Sequence, residues 1–110
     1  MCRLFTRQDP ATYAAETRAV RLAGHVTSIR LEAAFWTILE EIAAREGISL
    51  ARFVSLLHEE ILARCGEVPN FASFLRVTCM HYLANRDLHA AEVAARHAPA
   101  RAAEIERTIA

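Results

Sequence analysis

The feature that most constrains this chain is a change of period within eleven residues, "VTSIRLEAAFW" (26–36). Up to Leu31 the residues alternate as a strand does, and from Glu32 they follow a helical rule. Ile29 and Leu31 share one face of the strand, after Thr27, while Val26, Ser28 and Arg30 share the other. The other strong patterns in the chain are helical. An isolated strand leaves backbone donors and acceptors unsatisfied on both edges and gains almost nothing by itself. Three solutions exist. The segment can pair with the weakly alternating "RAVRL" (18–22) as a hairpin across Ala23–His25, or it can be a loop that merely alternates. It can also pair with its own copy in a second chain, a two-fold and self-complementary arrangement.

From residue 33 the apolar period lengthens. Phe35, Ile38, Leu39 and Ile42 form a stripe, with Trp36 at its edge and Glu40 and Glu41 outward. Gly47 stops this helix. Ser49 is placed to cap a second helix, 50–64, with Leu50, Phe53, Val54, Leu57 and Ile61 inward. Gly66 ends it, Pro69-Asn70 marks a loop, and Asn70 caps a third helix, 71–84, carrying Phe71, Phe74, Leu75, Thr78, Tyr82 and Leu83. Asp87 is expected to cap a fourth, Ala-rich segment that Pro99 interrupts. Ahead of the strand, "DPATYAAETR" opens a short helix, with Asp9 as cap and Pro10 at its first position. The division read from these signals is an N-terminal arm (1–24), a core (25–66) and a C-terminal helical extension (67–110).

At 110 residues the chain is one domain by size. No apolar run approaches the roughly 20 residues that span a membrane. The start "MCRLFTRQDP" lacks the apolar stretch of an export signal, which predicts a cytoplasmic protein with reduced thiols. Cys2, Cys65 and Cys79 carry no CxxC spacing, and Cys79 sits in an apolar run as a small core residue. Thirteen arginines, with no lysine, balance 13 acids, a neutrality that taken globally argues against nucleic acid. The distribution is uneven, however: residues 1–31 hold Arg3, Arg7, Arg18, Arg21 and Arg30 against Asp9 and Glu16. Segregation of that kind can give a basic face on a neutral molecule.

Catalytic and metal signatures are weak. His58, Glu59 and Glu60 are consecutive and diverge around a helix, and His81, His89 and His97, spaced by eight, rotate by about 80° each time. Cys79 and His81 stand two apart and do not face each other. Three scattered glycines make no phosphate loop. The expectation is a protein that is not an enzyme and takes no metal or cofactor.

The order of elements resembles the ribbon-helix-helix DNA-binding family over about residues 25–64: "TSIRLE" as strand, "AAFWTILEEIAAREG" as first helix, "ISLARFVSLLHEEI" as second. The strand running straight into a helix, the "REGIS" corner and the Ser at the second helix start carry the likeness. The whole chain, "MCRLF" and "NFASFLRV" included, looks like a bacterial group of small proteins containing this domain. The resemblance implies a mainly α ribbon-helix-helix fold. It implies an obligate homodimer whose β-ribbon, one strand from each chain, enters the major groove of double-stranded DNA, and it selects the third solution above. A transcriptional repressor is the function expected. By position, Val26, Ser28 and Arg30 are the base-contacting sites. The Arg30 fork matches the two acceptors of guanine, whereas Val26 departs from the family's polar residue and has only a thymine methyl to touch. Ser49, Leu50 and Arg52 would anchor phosphate at a helix start, where partial positive charge collects. Arg52 stands where a capping box would have Glu. Arg18 and Arg21 would line phosphates as an arm preceding the ribbon. Ile29, Leu31, Phe35, Leu39, Ile42, Phe53 and Leu57 would form the dimer core, with the C-terminal helices open to a protein partner or a higher oligomer. Two other readings stay open: an antitoxin-like protein whose tail neutralises a partner, and a dimeric interaction module without DNA binding, which neutral charge and Val26 favour. Groove reading is tied here to one condition: residues 26–31 must find their partner in another subunit.

Overall fold

The structure, a computed structural model, describes residues 3–96. In chain order it forms α1 (Arg3–Thr6), α2 (Pro10–Tyr13), β1 (Ala15–Leu22), β2 (His25–Glu32), α3 (Ala33–Glu46), α4 (Leu50–Cys65) and α5 (Phe71–Ala84). A further helix, α6, covers residues 86–96. The expectations for Cys2, His97 and Pro99, and for residues 97–110 of the extension, lie outside the described residues.

The strand does not wait for a second chain. β1 and β2 pair antiparallel in one chain, in register from Ala15 opposite Glu32 to Leu22 opposite His25. This corrects the condition that residues 26–31 find a partner only in another subunit: β1 pairs with one edge of β2, and the other edge has no strand partner among the described residues. The cause is local: Ala23 (φ 50°) and Gly24 (φ 81°) both lie in the left-handed region. Two consecutive positive φ angles define the two-residue hairpin turn whose twist matches that of the flanking strands. Ala carries a steric penalty there that Asn or Gly would not, so "AG" is a weak turn signal. The short helix opened by Pro10 stops at Tyr13, capped by Asp9, whose side chain accepts from the Ala11 amide at 3.0 Å; after Ala14, the rest of "DPATYAAETR" is strand.

The hairpin has an inner and an outer face. Val20 and Leu22 from β1 join Ile29 and Leu31 from β2 on the inner face, all buried against the helices. Trp36 is the central side chain rather than an edge residue: it is fully buried, and its Nε1 donates to the Glu16 carbonyl at 2.9 Å. β1 supplies both the wall and the acceptor, which a lone strand could not. Leu31, Trp36, Leu39, Leu75, Val54 and Cys79 are the largest fully buried side chains.

Five residues expected at a dimer core, Ile29, Leu31, Leu39, Ile42 and Phe53, are therefore buried within one chain; Phe35 and Leu57 are half-buried on its flank. α5 belongs to the same core through Leu75, Cys79 and Tyr82. Burial pushes the Cys79 thiol up to about 11, so it stays protonated and apolar in character.

Helix ends follow the residues. Gly47 (φ 75°) and Gly66 (φ 80°) terminate α3 and α4 in the left-handed conformation, and Asn70 caps α5 by accepting from the Ser73 amide at 3.2 Å. α6 starts two residues earlier than a cap at Asp87 would place it. The Asn85 carbonyl accepts from the His89 amide at 2.9 Å, so Asp87 lies inside the first turn, where its charge favours the helix dipole without capping. Among the described residues no helix is long and apolar enough to cross a membrane.

Candidate nucleic-acid interface

The outer face of the hairpin is set by register. Side chains of directly opposed residues share a face, so Thr17 stands beside Arg30, Ala19 beside Ser28 and Arg21 beside Val26. All six are solvent-exposed. Val26, Ser28 and Arg30 thus lie together on the side away from the helices. Val26 leaves 66% of its surface in solvent, an apolar side chain standing on a polar ribbon. Sequence reasoning misses Thr17 and Ala19 as site residues. The parity of Val20 and Leu22, once accepted as a buried pair, places them there.

The two arginines assigned to an arm separate. Arg18 is on the inner side: it donates to Glu40 at 2.6 Å and to Glu16 at 3.1 Å, and its guanidinium lies 4.9 Å from the centre of the Trp36 ring. Its pKa is raised, first by the Glu40 hydrogen bond. The group assigned to phosphate thus already has three internal partners, Glu40, Glu16 and the Trp36 ring. Arg21 is part of the ribbon rather than of an arm before it. Its Nη1 reaches back toward the Gly24 carbonyl at 3.4 Å, and it forms no ion pair among the described residues.

The start of α4 lies beside the hairpin tip. Ser49 accepts from the Arg52 amide through its hydroxyl at 3.1 Å and from the Phe53 amide through its carbonyl at 2.9 Å. Leu50 turns partly inward onto the core, so it offers its backbone rather than its side chain. An open concavity of about 360 Å³ brings Arg21, Ala23 and Gly24 of the hairpin against Ala51, Arg52, Ser55 and Glu59 of α4. Two guanidinium groups from distant parts of the sequence line one hollow, with a single carboxylate opposing them. At the other end of the ribbon Glu32 is neutralised. Arg76 grips both its oxygens, at 3.0 and 3.2 Å, and that hydrogen bonding is the first cause of its lowered pKa. Arg30 and Arg52, like Arg21, have no acidic partner among the described residues. The hairpin tip, the outer face and the α4 start therefore present three guanidinium groups, of Arg21, Arg30 and Arg52, without an ion-pair partner among the described residues. No three His, Cys, Asp or Glu side chains converge as metal ligands among the described residues.

A family model described as a ribbon-helix-helix domain matches residues 15–83, a span that takes in β1 and α5 as well as the 25–66 segment. Among solved structures, the chain is similar to an uncharacterized protein from Bordetella pertussis Tohama I. The two are 42% identical with a TM-score of 0.76 over 78% of this chain and 69% of that one. No curated protein matches.

Proposed function

The chain belongs to the ribbon-helix-helix family, and we propose that it is a cytoplasmic, homodimeric DNA-binding protein, a transcriptional repressor that reads the major groove with the outer face of its ribbon. The observation that carries this reading is the exposed row Val26, Ser28 and Arg30 on a two-stranded ribbon, with no acid paired to Arg30 among the described residues. A two-stranded ribbon fits a groove about 12 Å wide. β1 occupies one edge of β2 and leaves the other without a strand partner among the described residues, so that edge is where the twin strand of a second copy completes the shared ribbon. Arg30 supplies a guanine fork, Ser28 a weak donor or acceptor, and Val26 a contact for a thymine methyl. Ser49, Leu50 and Arg52 at the α4 start hold phosphate, with Arg21 across the concavity.

The dimer forms through surface that one chain leaves apolar. Phe35, Ile38, Leu57 and Phe71 are half-buried on the edge of the core, and Val77 and Met80 on α5 keep 47% and 64% of their surface exposed. The same exposure, with Leu88 at 69%, supports the second reading, a protein-interaction or antitoxin-like module.

Selection of bound genomic fragments by the wild type beside Arg30→Ala tests the proposal. Wild type should enrich a defined motif and lose affinity steeply as salt rises, because phosphate contacts release counterions. Arg30→Ala should weaken the preferred site by roughly 1–3 kcal/mol and relax one position of it. Binding undetectable at low salt rejects the proposal in favour of the interaction module.

A further inference from the structure

α5 is apolar on both of its faces. Leu75, Cys79 and Tyr82 are buried in the core, while Val77, Met80 and Leu83, on the far side of the helix, are exposed. Its sequence "FASFLRVTCMHYLA" holds no acid and a single arginine, and that Arg76 is already bound to Glu32. α3 and α4 differ. Their solvent faces carry Glu40 and Arg45, and Glu59, Glu60 and Arg64, as suits a helix with one wet face. A helix that is apolar all round is one whose second face is covered too.

We infer that α5 forms a second layer of the homodimer, with Val77, Met80 and Leu83 packed against the same three residues of a second copy beneath the joined β2 edges. This pairing rests on the homodimeric reading above and extends it to a helix beyond the 25–66 segment. Under the hairpin the helices divide: α4 packs against β1, and α5 packs against β2. β1 fills one edge of β2, and the other edge has no strand partner among the described residues. The core-facing side of α5 turns toward α3, so the open edge of β2 and the outer face of α5 belong to the same side of the protomer.

Two-fold pairing of β2 with its twin sets the two strands about 4.8 Å apart. Helices beneath them then come within packing reach, since packed helix axes stand about 8–10 Å apart. A strand edge buries little apolar area by itself, whereas a stable, specific interface takes roughly 1,200 Å² or more. The α5 stripe is apolar surface on the same side and supplies part of that area. It is also compatible with its own copy: with no acid and no free arginine, it meets its twin without like-charge repulsion. A partner that recognised charge would find nothing here to pair with. The interface thus has two parts, with backbone hydrogen bonds fixing the register of the ribbon and apolar burial at α5 supplying affinity.

Sedimentation equilibrium of the full chain tests this, with wild type beside Met80→Glu and Val77→Glu. Both positions are exposed in the single chain, so neither change touches the core, and the helical circular dichroism signal should be retained. Wild type should sediment as a dimer. Each variant should dissociate roughly 10- to 100-fold more readily, because every dimer then sets two carboxylates into one apolar seam. A second measurement is independent of those variants. With Cys2→Ser and Cys65→Ser as background, the single changes Val77→Cys, Met80→Cys and Leu83→Cys are treated with a mild oxidant, which the buried Cys79 escapes. At least one should form an interchain disulfide in high yield, as Cα atoms within about 7 Å allow. If wild type is a dimer whose dissociation constant neither Glu variant changes, and no cysteine variant cross-links, α5 lies outside the interface. That result overturns the inference and leaves the homodimeric reading standing. If wild type sediments as a monomer across the micromolar range, the homodimeric reading fails and this inference with it.

Discussion

α3 holds its neighbours in two different ways at its two ends. Near its start, Trp36 and Leu39 lock it to the hairpin and α5 through fully buried apolar surface, with one backbone carbonyl accepting the indole N–H. Near its end, α6 is held largely by charge. Arg86 grips Glu41 with two hydrogen bonds of 3.2 Å, and Glu46 accepts from Arg96 at 2.8 and 2.9 Å and contacts His89 Nε2 at 2.8 Å. Of the apolar side chains of α6, Leu88 points mostly to solvent and Val93 is half-buried. Burial of apolar area is insensitive to salt and acid, whereas ion pairs depend on both. The hairpin and α6 therefore belong to units of different stability, and the ribbon lies on the robust one.

The largest expected effect tests that first unit. Trp36→Ala removes the central side chain and leaves the Glu16 carbonyl without its indole donor, so it should cost about 3–5 kcal/mol in urea denaturation. A loss below about 1 kcal/mol would mean the hairpin is not fastened through Trp36. The change acts on the hairpin, so DNA binding should fall with it although Trp36 touches no nucleic acid.

Removing one charge at the other end gives the smaller effect. Glu46→Gln keeps the size of the side chain and withdraws the negative charge that Arg96 and His89 share. Global stability should fall by about 1 kcal/mol or less, the range of partly exposed ion pairs. Amide exchange should instead quicken selectively over residues 86–96, leaving β1 and β2 protected. Uniform loss of protection would show that α6 is an integral part of the core and erase the contrast.

The contrast was unevenly legible in the sequence. Gly47, Ser49, Gly66 and Asn70 act through their own backbone needs, and each helix boundary they mark is where the residue chemistry puts it. The outward set Val26, Ser28 and Arg30 followed from strict alternation. The partner of β2 did not, because "AG" is a poor turn signal and "RAVRL" gives only two inward apolar residues, Val20 and Leu22. Arg18 and Arg21 look alike in sequence, but they differ by an odd number of positions on a strand, so one lies over Trp36 and the other faces solvent. The clasp on α6 depends on pairs more than 40 residues apart, which no local pattern encodes.

Acid should separate the two units without any substitution. The hydrogen bonds from Arg96, and then from His89, hold the Glu46 carboxyl at about 2, well below its ordinary value of 4.5. A carboxylate depressed in the folded state stabilises it fully above the ordinary value, and that contribution is lost as pH falls through the depressed one. Docking of α6 should thus be intact near neutrality, begin to weaken below about pH 4.5 and be largely gone near pH 2. Glu32, depressed first by Arg76, withdraws its own contribution in the acid range, but Leu31, Trp36, Leu39 and Val54 hold the hairpin side by packing. Trp36 is the chain's one tryptophan and sits at the centre of that side, so its fluorescence reports on the core alone. On acid titration the helical circular dichroism signal should drop in a first step with the Trp36 emission unchanged, and raised salt should shift that step to higher pH by screening the Arg96–Glu46 pair. Coincident transitions would place α6 and the hairpin in one cooperative unit and dissolve the distinction between them.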